Sequence, residues 1–126
     1  MFYIDEDKTI YLTRGDIATV IIGATQDGGG QYTFIAGDTV RLKVFEKRGC
    51  DCVVLQKDVL IEADTQIITI YLDKEDTRIG EIIHKPKDYW YEVELNPETA
   101  PQTIIGYDED GAKIFRLFPE GGNTNE

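Results

Sequence analysis

The chain has 126 residues, a length that fits one domain whose core folds without cross-links. Its 24 acidic and 13 basic residues give a formal net charge of −11. A surface of this charge repels phosphate backbones and anionic lipids, so the composition argues against nucleic-acid and membrane partners. Solubility is one explanation of the charge, and an acidic face that docks on a basic partner is the other.

The first residues do not contain the basic and apolar regions of a signal peptide. No apolar run approaches the length that a transmembrane helix requires. We therefore expect the protein to be synthesised in the cytoplasm.

Strands are predicted along the whole chain, because β-branched and aromatic residues alternate with polar ones between turns that contain Gly and Asp. In the first half of the chain the predicted strands are residues 9–12, 17–22, 39–47 and 52–60. The turns between them are predicted at residues 14–16, 27–30 and 37–38. Residues 39–47 alternate most clearly, which is typical of a strand with one face in the core and one in water.

Four more strands are predicted in the second half, at residues 67–72, 89–95, 102–107 and 112–117. Residues 74–78 are expected to form one helical turn that ends at Gly80. The sequence 108–111, Asp-Glu-Asp-Gly, predicts a hairpin between the last two strands, because Asp-Gly accepts the positive φ angles of a tight turn. Residues 119–126, rich in Gly and Asn, are predicted to be a disordered tail.

About eight short strands without an amphipathic helix of normal length predict an all-β fold. We expect residues 1–118 to form a single domain, an antiparallel β-sandwich of the immunoglobulin-like kind. A small barrel is the alternative architecture.

The residue inventory argues against catalysis. The sequence contains no serine, which removes Ser-His-Asp chemistry. The only histidine, His84, stands beside Lys85-Pro86-Lys87 and is expected to be a solvated loop residue. Cys50 and Cys52 are too few for a zinc site and are expected to be reduced thiols, so a thiol meeting His84 across the fold is the remaining enzymatic alternative. We predict a non-enzymatic protein with no cofactor and no metal ion.

The aromatic residues give the candidate binding site. If Tyr91 and its alternating neighbours face the core, Trp90 lies on the opposite face of the same strand. An outward tryptophan is typical of an interface, and the alternative is that a loop or a second layer covers it. Trp90 is the first candidate interface residue, and Tyr89 and Tyr107 are the others, since exposed aromatics also serve as sugar platforms.

Several motifs occur in an order that matches a known family: residues 12–16 (Leu-Thr-Arg-Gly-Asp), 37–40 (Gly-Asp-Thr-Val), 72–77 (Leu-Asp-Lys-Glu-Asp-Thr), Gly80, and 89–95 (Tyr-Trp-Tyr-Glu-Val-Glu-Leu). Over residues 9–106 the chain resembles the N-terminal immunoglobulin-like domain of phage baseplate upper proteins, and is similar to short uncharacterised prophage proteins of Firmicutes.

The resemblance implies a β-sandwich in a phage tail or baseplate, made in the bacterial cytoplasm and carried into the virion. The implied partners are other tail or baseplate proteins, or copies of the chain in a trimer or hexamer. No catalytic residue is implied. The 126 residues lack the stalk and receptor-binding parts of a baseplate upper protein, and the predicted hairpin over residues 103–117 has no counterpart in the family.

The corner at residues 75–77, followed by a tyrosine-rich strand, also resembles the tyrosine corner of immunoglobulin folds. The hydroxyl of Tyr89 or Tyr91 is expected to bond back to that corner. We thus expect a structural assembly module that acts through protein–protein contacts, with a carbohydrate- or ligand-binding module that uses exposed aromatics as the alternative.

Overall fold

The computed structural model describes residues 2–4, 8–25, 29–47, 52–106, 111 and 113–120. Within these ranges the chain is all-β and contains no helix. The nine strands in the described ranges are β1 (Phe2–Ile4), β2 (Ile10–Thr13), β3 (Ala18–Ile22), β4 (Thr39–Phe45), β5 (Val53–Leu60), β6 (Ile68–Leu72), β7 (Lys87–Leu95), β8 (Gln102–Ile105) and β9 (Lys113–Phe118).

All eight predicted strands are present, and none of their ends differs from the predicted one by more than two residues. The predicted ends at residues 107 and 112 lie outside the described residues. The additional strand, β1, has three residues, too few to show an alternating pattern. The alternation itself is confirmed in the burial of the side chains. In β4, Val40, Leu42 and Val44 are fully buried and the residues between them are half-buried.

Seven strands form one sheet in the order β1-β2-β9-β7-β4-β5, with β8 also paired to β7. This sheet curls into a half-barrel. The other two strands, β3 and β6, form a separate antiparallel pair. The inward residues of both sheets belong to one hydrophobic core, whose largest fully buried side chains are Tyr89, Phe34 and Phe115.

Two details of the predicted pairing are wrong. The pair β2–β9 is parallel, so the sheet is not purely antiparallel. The last two strands do not form a hairpin: β8 pairs with β7 at Val93–Leu95 and β9 pairs with β7 at Lys87–Tyr91, both antiparallel. They therefore run in the same direction along one edge of β7.

The Asp-Gly signal explains this error. Gly111 does have a positive φ of 98°, which is the conformation that the signal predicts. A local backbone conformation, however, does not choose the strand that pairs, because the burial of the apolar face decides the pairing. Residues 107–110 lie outside the described residues.

The segment after β6 forms a turn and not a helix. Residues 74–77 are in the turn, and the Arg78 N–H donates a hydrogen bond of 3.2 Å to the Glu75 carbonyl. The predicted helical turn is thus confirmed only as a chain reversal. The turn ends at Thr77, three residues before the predicted end at Gly80, where φ is +69°.

Candidate interaction surface

The turn at residues 14–16 is tied to the corner that follows β6. The Arg14 side chain is buried, and its guanidinium donates hydrogen bonds to the carbonyls of Arg78 and Gly80 at 3.3 and 3.1 Å. Arg14 Nη1 also lies 3.1 Å from Glu120 Oε1. These contacts fix the end of β2, the corner after β6 and the end of β9 relative to one another.

Two further motif residues have similar structural roles. Thr77 is fully buried, and its Oγ1 donates a hydrogen bond to the Asp16 carbonyl at 2.8 Å. The carboxylate of Asp38, also buried, accepts a hydrogen bond of 3.0 Å from the Ile35 N–H. The motifs that carry the family resemblance therefore hold loops together, and none of these three side chains is available to a partner.

The acidic residues after β6 cap the turn. Asp73 Oδ1 accepts hydrogen bonds of 2.9 Å from the N–H groups of Glu75 and Asp76. Asp76 Oδ2 accepts one of 3.0 Å from the Asp73 N–H and lies 3.0 Å from Lys57 Nζ. Burial acts to raise the pKa of Asp76, but the hydrogen bonds from Asp73 and Lys57 outweigh it and lower the pKa. In the described part of the chain, no group of three His, Cys, Asp or Glu side chains is placed to hold a metal ion.

The cysteine prediction requires a correction. Cys52 is disulfide-bonded, whereas reduced thiols were expected. The other cysteine, Cys50, lies outside the described residues. A disulfide sulfur is not the thiolate that nucleophilic catalysis requires. His84 is exposed in the loop between β6 and β7, as predicted.

The structure places the two strand tyrosines in the core. Tyr89 is fully buried, and its hydroxyl has no hydrogen-bond partner among the described residues. The Tyr91 hydroxyl donates to the carbonyl of Lys8. Neither hydroxyl bonds to the corner at residues 75–77, so the predicted tyrosine-corner bond is wrong. Because Tyr89 is buried, it presents no side-chain surface to a partner.

Trp90 lies on the face of β7 opposite Tyr89 and Tyr91, as the alternation predicts, and is half-buried. Its neighbours across the register are Phe45 of β4 and Ile114 of β9, both half-buried. Trp90 is thus part of an apolar row across the outer face of the half-barrel. The third candidate, Tyr107, lies outside the described residues.

Beside this row, the outer face of the half-barrel is covered by ion pairs. Arg41 forms two hydrogen bonds with Asp58, at 2.9 and 3.1 Å, and lies 3.0 Å from Glu98. Lys43 Nζ lies 3.2 Å from Glu94. The hydrogen bonds from Arg41 lower the pKa of Asp58. Paired charges of this kind keep the face hydrated, and each exposed pair adds little stability.

The outer face of the β3–β6 pair has the opposite character. Four strand residues point outward there, and two exposed isoleucines directly precede the strands. We call the six together the β3–β6 face: Thr19, Ile21, Thr69 and Tyr71, with Ile17 and Ile67. None of the six carries a charge. The four large ones are more than half exposed, at 60% for Ile17, 58% for Ile21, 51% for Ile67 and 53% for Tyr71. Contiguous exposed apolar residues are typical of interaction sites.

Sequence reasoning found these strands and their inward residues but missed this face. Periodicity places the outward residues correctly but does not tell whether anything covers them. The sequence did contain a signal for this face. Outward positions on β4 and β7 carry charged residues (Arg, Lys and Glu), whereas outward positions on β3 and β6 carry no charged residue.

A second surface feature is a cleft of about 520 Å³ between β8 and the residues Ala24, Thr25 and Tyr32. Its volume is in the range of small-molecule sites, roughly 300–1,000 Å³. Among the described residues, the side chains that line the cleft are uncharged: Ala24, Thr25, Tyr32, Leu95, Gln102, Thr103 and Ile104. Burial and the neighbouring Asp38 raise the pKa of Tyr32, so its phenol stays protonated and remains a hydrogen-bond donor.

Comparison with protein-family models gave no match, and comparisons with curated proteins and with solved structures gave none either. Among the described residues, no helix has the length and apolar character needed to cross a bilayer. The fold and the surfaces together define an all-β protein with one uncharged face on a strongly acidic molecule.

Proposed function

We propose that the protein is a non-enzymatic structural module that assembles with other proteins, of the kind found in phage or prophage tails and baseplates. The observation that carries this proposal is the β3–β6 face. A molecule of net charge −11 that leaves four large apolar side chains more than half exposed on one sheet face has a surface suited to a protein partner. The order of the motifs at residues 12–16, 37–40, 72–77 and 89–95 supports the tail-type role.

The finer fold belongs to the same proposal. We propose that the half-barrel and the β3–β6 pair are the two layers of an immunoglobulin-like β-sandwich. The order β9-β7-β4-β5 corresponds to strands G-F-C-C′ of a variable-type domain, and β3-β6 corresponds to B-E. The shared core of the two sheets supports this assignment. An experimental structure in which the two sheets cross at about 30° supports it, and a crossing near 90° contradicts it.

Binding to neighbouring gene products tests the functional proposal. Each structural protein encoded beside this chain is expressed singly and measured for binding by biolayer interferometry. We expect at least one to bind, and Ile21→Glu to abolish that binding. Ile82→Glu is the matched control, because Ile82 is 62% exposed in the loop before β7 and acquires the same charge. Absence of binding to every neighbour, together with absence of self-association, contradicts the proposal.

The cleft beside β8 favours a second function, the binding of a neutral, hydroxyl-rich ligand such as an oligosaccharide. Thr25, Gln102 and Thr103 supply hydrogen-bonding groups without any charge, and Leu95 and Ile104 supply apolar surface.

A glycan array separates this site from the sugar platform predicted at Trp90. Loss of a glycan signal in Gln102→Ala but not in Trp90→Ala supports the cleft. The reverse result supports the platform on β7, and no signal for the unsubstituted protein contradicts both.

A further inference from the structure

The distribution of charge over the surface indicates which partner fits the β3–β6 face. Two copies of a chain of net charge −11 repel each other at long range. Contact between copies is therefore least unfavourable where neither surface carries a charge. The β3–β6 face meets this condition, since its six residues are all Ile, Thr or Tyr.

The outer face of the half-barrel is a poor site for the same contact. Its charges are already paired within one molecule, as Arg41 is with Asp58 and Lys43 with Glu94. A second copy seated on that face would have to desolvate these pairs, and the desolvation of ions costs more than their pairing returns.

We propose that the partner of the β3–β6 face is a second copy of this chain, related by a twofold axis that packs the two faces against each other. This inference rests on the proposed assembly function and names its partner. In such an isologous contact the same residues meet on both sides, so uncharged β-branched and aromatic side chains are self-complementary. Two sheets packed face to face lie about 10 Å apart, a spacing that Ile and Tyr side chains fill.

The size of the face sets the strength of the contact. The exposed fractions of Ile17, Ile21, Ile67 and Tyr71 correspond to on the order of 450 Å² per copy, so a pair buries roughly 900 Å². Stable complexes bury about 1,200–2,000 Å² in total. The dimer is therefore weak and forms reversibly with concentration.

Sedimentation velocity tests the proposal by measuring whether the dimer becomes stronger or weaker as the salt concentration increases. The chain is measured from about 10 µM to about 1 mM, at about 50 mM and about 500 mM salt. Salt screens the repulsion between two acidic copies and does not weaken apolar contact, so the dimer becomes stronger as salt increases. A basic partner on the acidic surface would give the opposite dependence.

Substitutions locate the contact. Ile21→Glu places like charges in the interface and is expected to weaken the dimer at least about tenfold. Ile21→Thr keeps a β-branched residue in the strand and is expected to weaken it less, while the fold is retained. Ile82→Glu, outside the face, is the control and is expected to leave the dimer unchanged. Circular dichroism verifies that each variant is folded.

Three results would overturn the inference: a monomer at every concentration, a trimer or hexamer as the first associated species, or equal weakening by Ile21→Glu and Ile82→Glu. If the chain is monomeric but a neighbouring gene product still binds in a manner that Ile21→Glu abolishes, the second-copy inference fails and the assembly function stands. If neither association is observed, both fail.

Discussion

The backbone N–H of Gly15 donates a hydrogen bond of 2.9 Å to the Oγ1 of Thr77, across 62 residues of sequence. The same hydroxyl donates to the Asp16 carbonyl at 2.8 Å. Thr77 has no exposed surface, so the hydroxyl that makes both hydrogen bonds is buried, although Asp16 itself is exposed. One side chain thus satisfies a donor and an acceptor of the turn between β2 and β3.

Thr77→Val is expected to destabilise the protein by about 1–3 kcal/mol, because it leaves the Gly15 N–H and the Asp16 carbonyl without this partner while keeping the side-chain shape. The change lowers the melting temperature by roughly 3–5 °C per kcal/mol for a chain of this size. Urea unfolding measures it. Thr33→Val, at an exposed position, is the control and should lie within about 0.5 kcal/mol of the unsubstituted protein.

Tyr89→Phe is expected to leave the stability unchanged or to raise it by about 1 kcal/mol. The hydroxyl is buried and has no hydrogen-bond partner among the described residues, so its removal relieves a desolvation cost without breaking a bond. Tyr91→Phe is the matched comparison. Its hydroxyl does donate to Lys8, and its removal should cost about 1 kcal/mol. Equal losses in the two variants would show that the Tyr89 hydroxyl is bonded.

Gly80→Ala is expected to cost at least about 2 kcal/mol, because φ is +69° and a Cβ would lie 2.6 Å from the Tyr89 hydroxyl oxygen. The next atom of Tyr89, Cζ, is 3.8 Å away. Tyr89→Phe should therefore recover part of the loss in the double variant, since it removes the clashing atom. A double-mutant cycle by urea unfolding measures this coupling, and strictly additive effects would contradict the contact.

The sequence predicted much of this fold because its strands have one buried face. Wherever an apolar residue alternated with a polar one, as in residues 40–44 and 68–72, both the strand and its inward residues were predicted correctly. The pairing of β8 and β9 was predicted wrongly, because pairing depends on contacts between segments that are distant in the sequence. Period and turn signals describe only neighbouring residues.

The candidate site was less predictable for a related reason. Trp90 was predicted to be an interface residue because an outward tryptophan is typical of interfaces. In the structure it lies half-buried between Phe45 and Ile114. The alternation placed the isoleucines of the β3–β6 face outward, but it did not tell whether a second layer covers them. Only the three-dimensional structure shows that Ile17 and Ile21 have no layer outside them among the described residues.

Asp76→Asn is expected to cost about 1 kcal/mol at neutral pH, because it weakens the contacts of this carboxylate with Lys57 and the Asp73 N–H. The pKa of Asp76 is lowered from 3.8 in the folded protein, so its stabilisation is present above pH 3.8 and is lost as the pH falls through the lowered value. Urea unfolding at neutral and acidic pH measures the difference. Glu62→Gln, at an exposed position, controls for the loss of one charge.

Glu92→Gln is expected to change the stability at neutral pH in the opposite direction to Asp76→Asn. Burial and the neighbouring Glu94 raise the pKa of Glu92 from 4.5, and Lys43 offsets only part of this. The folded state therefore holds the proton more tightly than the unfolded state, and stability is lost as the pH rises from 4.5 through the raised value. We expect Glu92→Gln to raise stability by up to about 1 kcal/mol at pH 7 and to have no effect below pH 4.5.

The control for this prediction is Glu94→Gln, which removes the nearer partner of Lys43, at 3.2 Å against 3.9 Å for Glu92. It should lower stability at pH 7, although by less than about 1 kcal/mol because the pair is partly solvated. Urea unfolding at pH 7 and near pH 4 compares both variants with the unsubstituted protein. If Glu92→Gln is as destabilising as Glu94→Gln at pH 7, attraction to Lys43 outweighs burial at Glu92 and the predicted pH dependence is wrong.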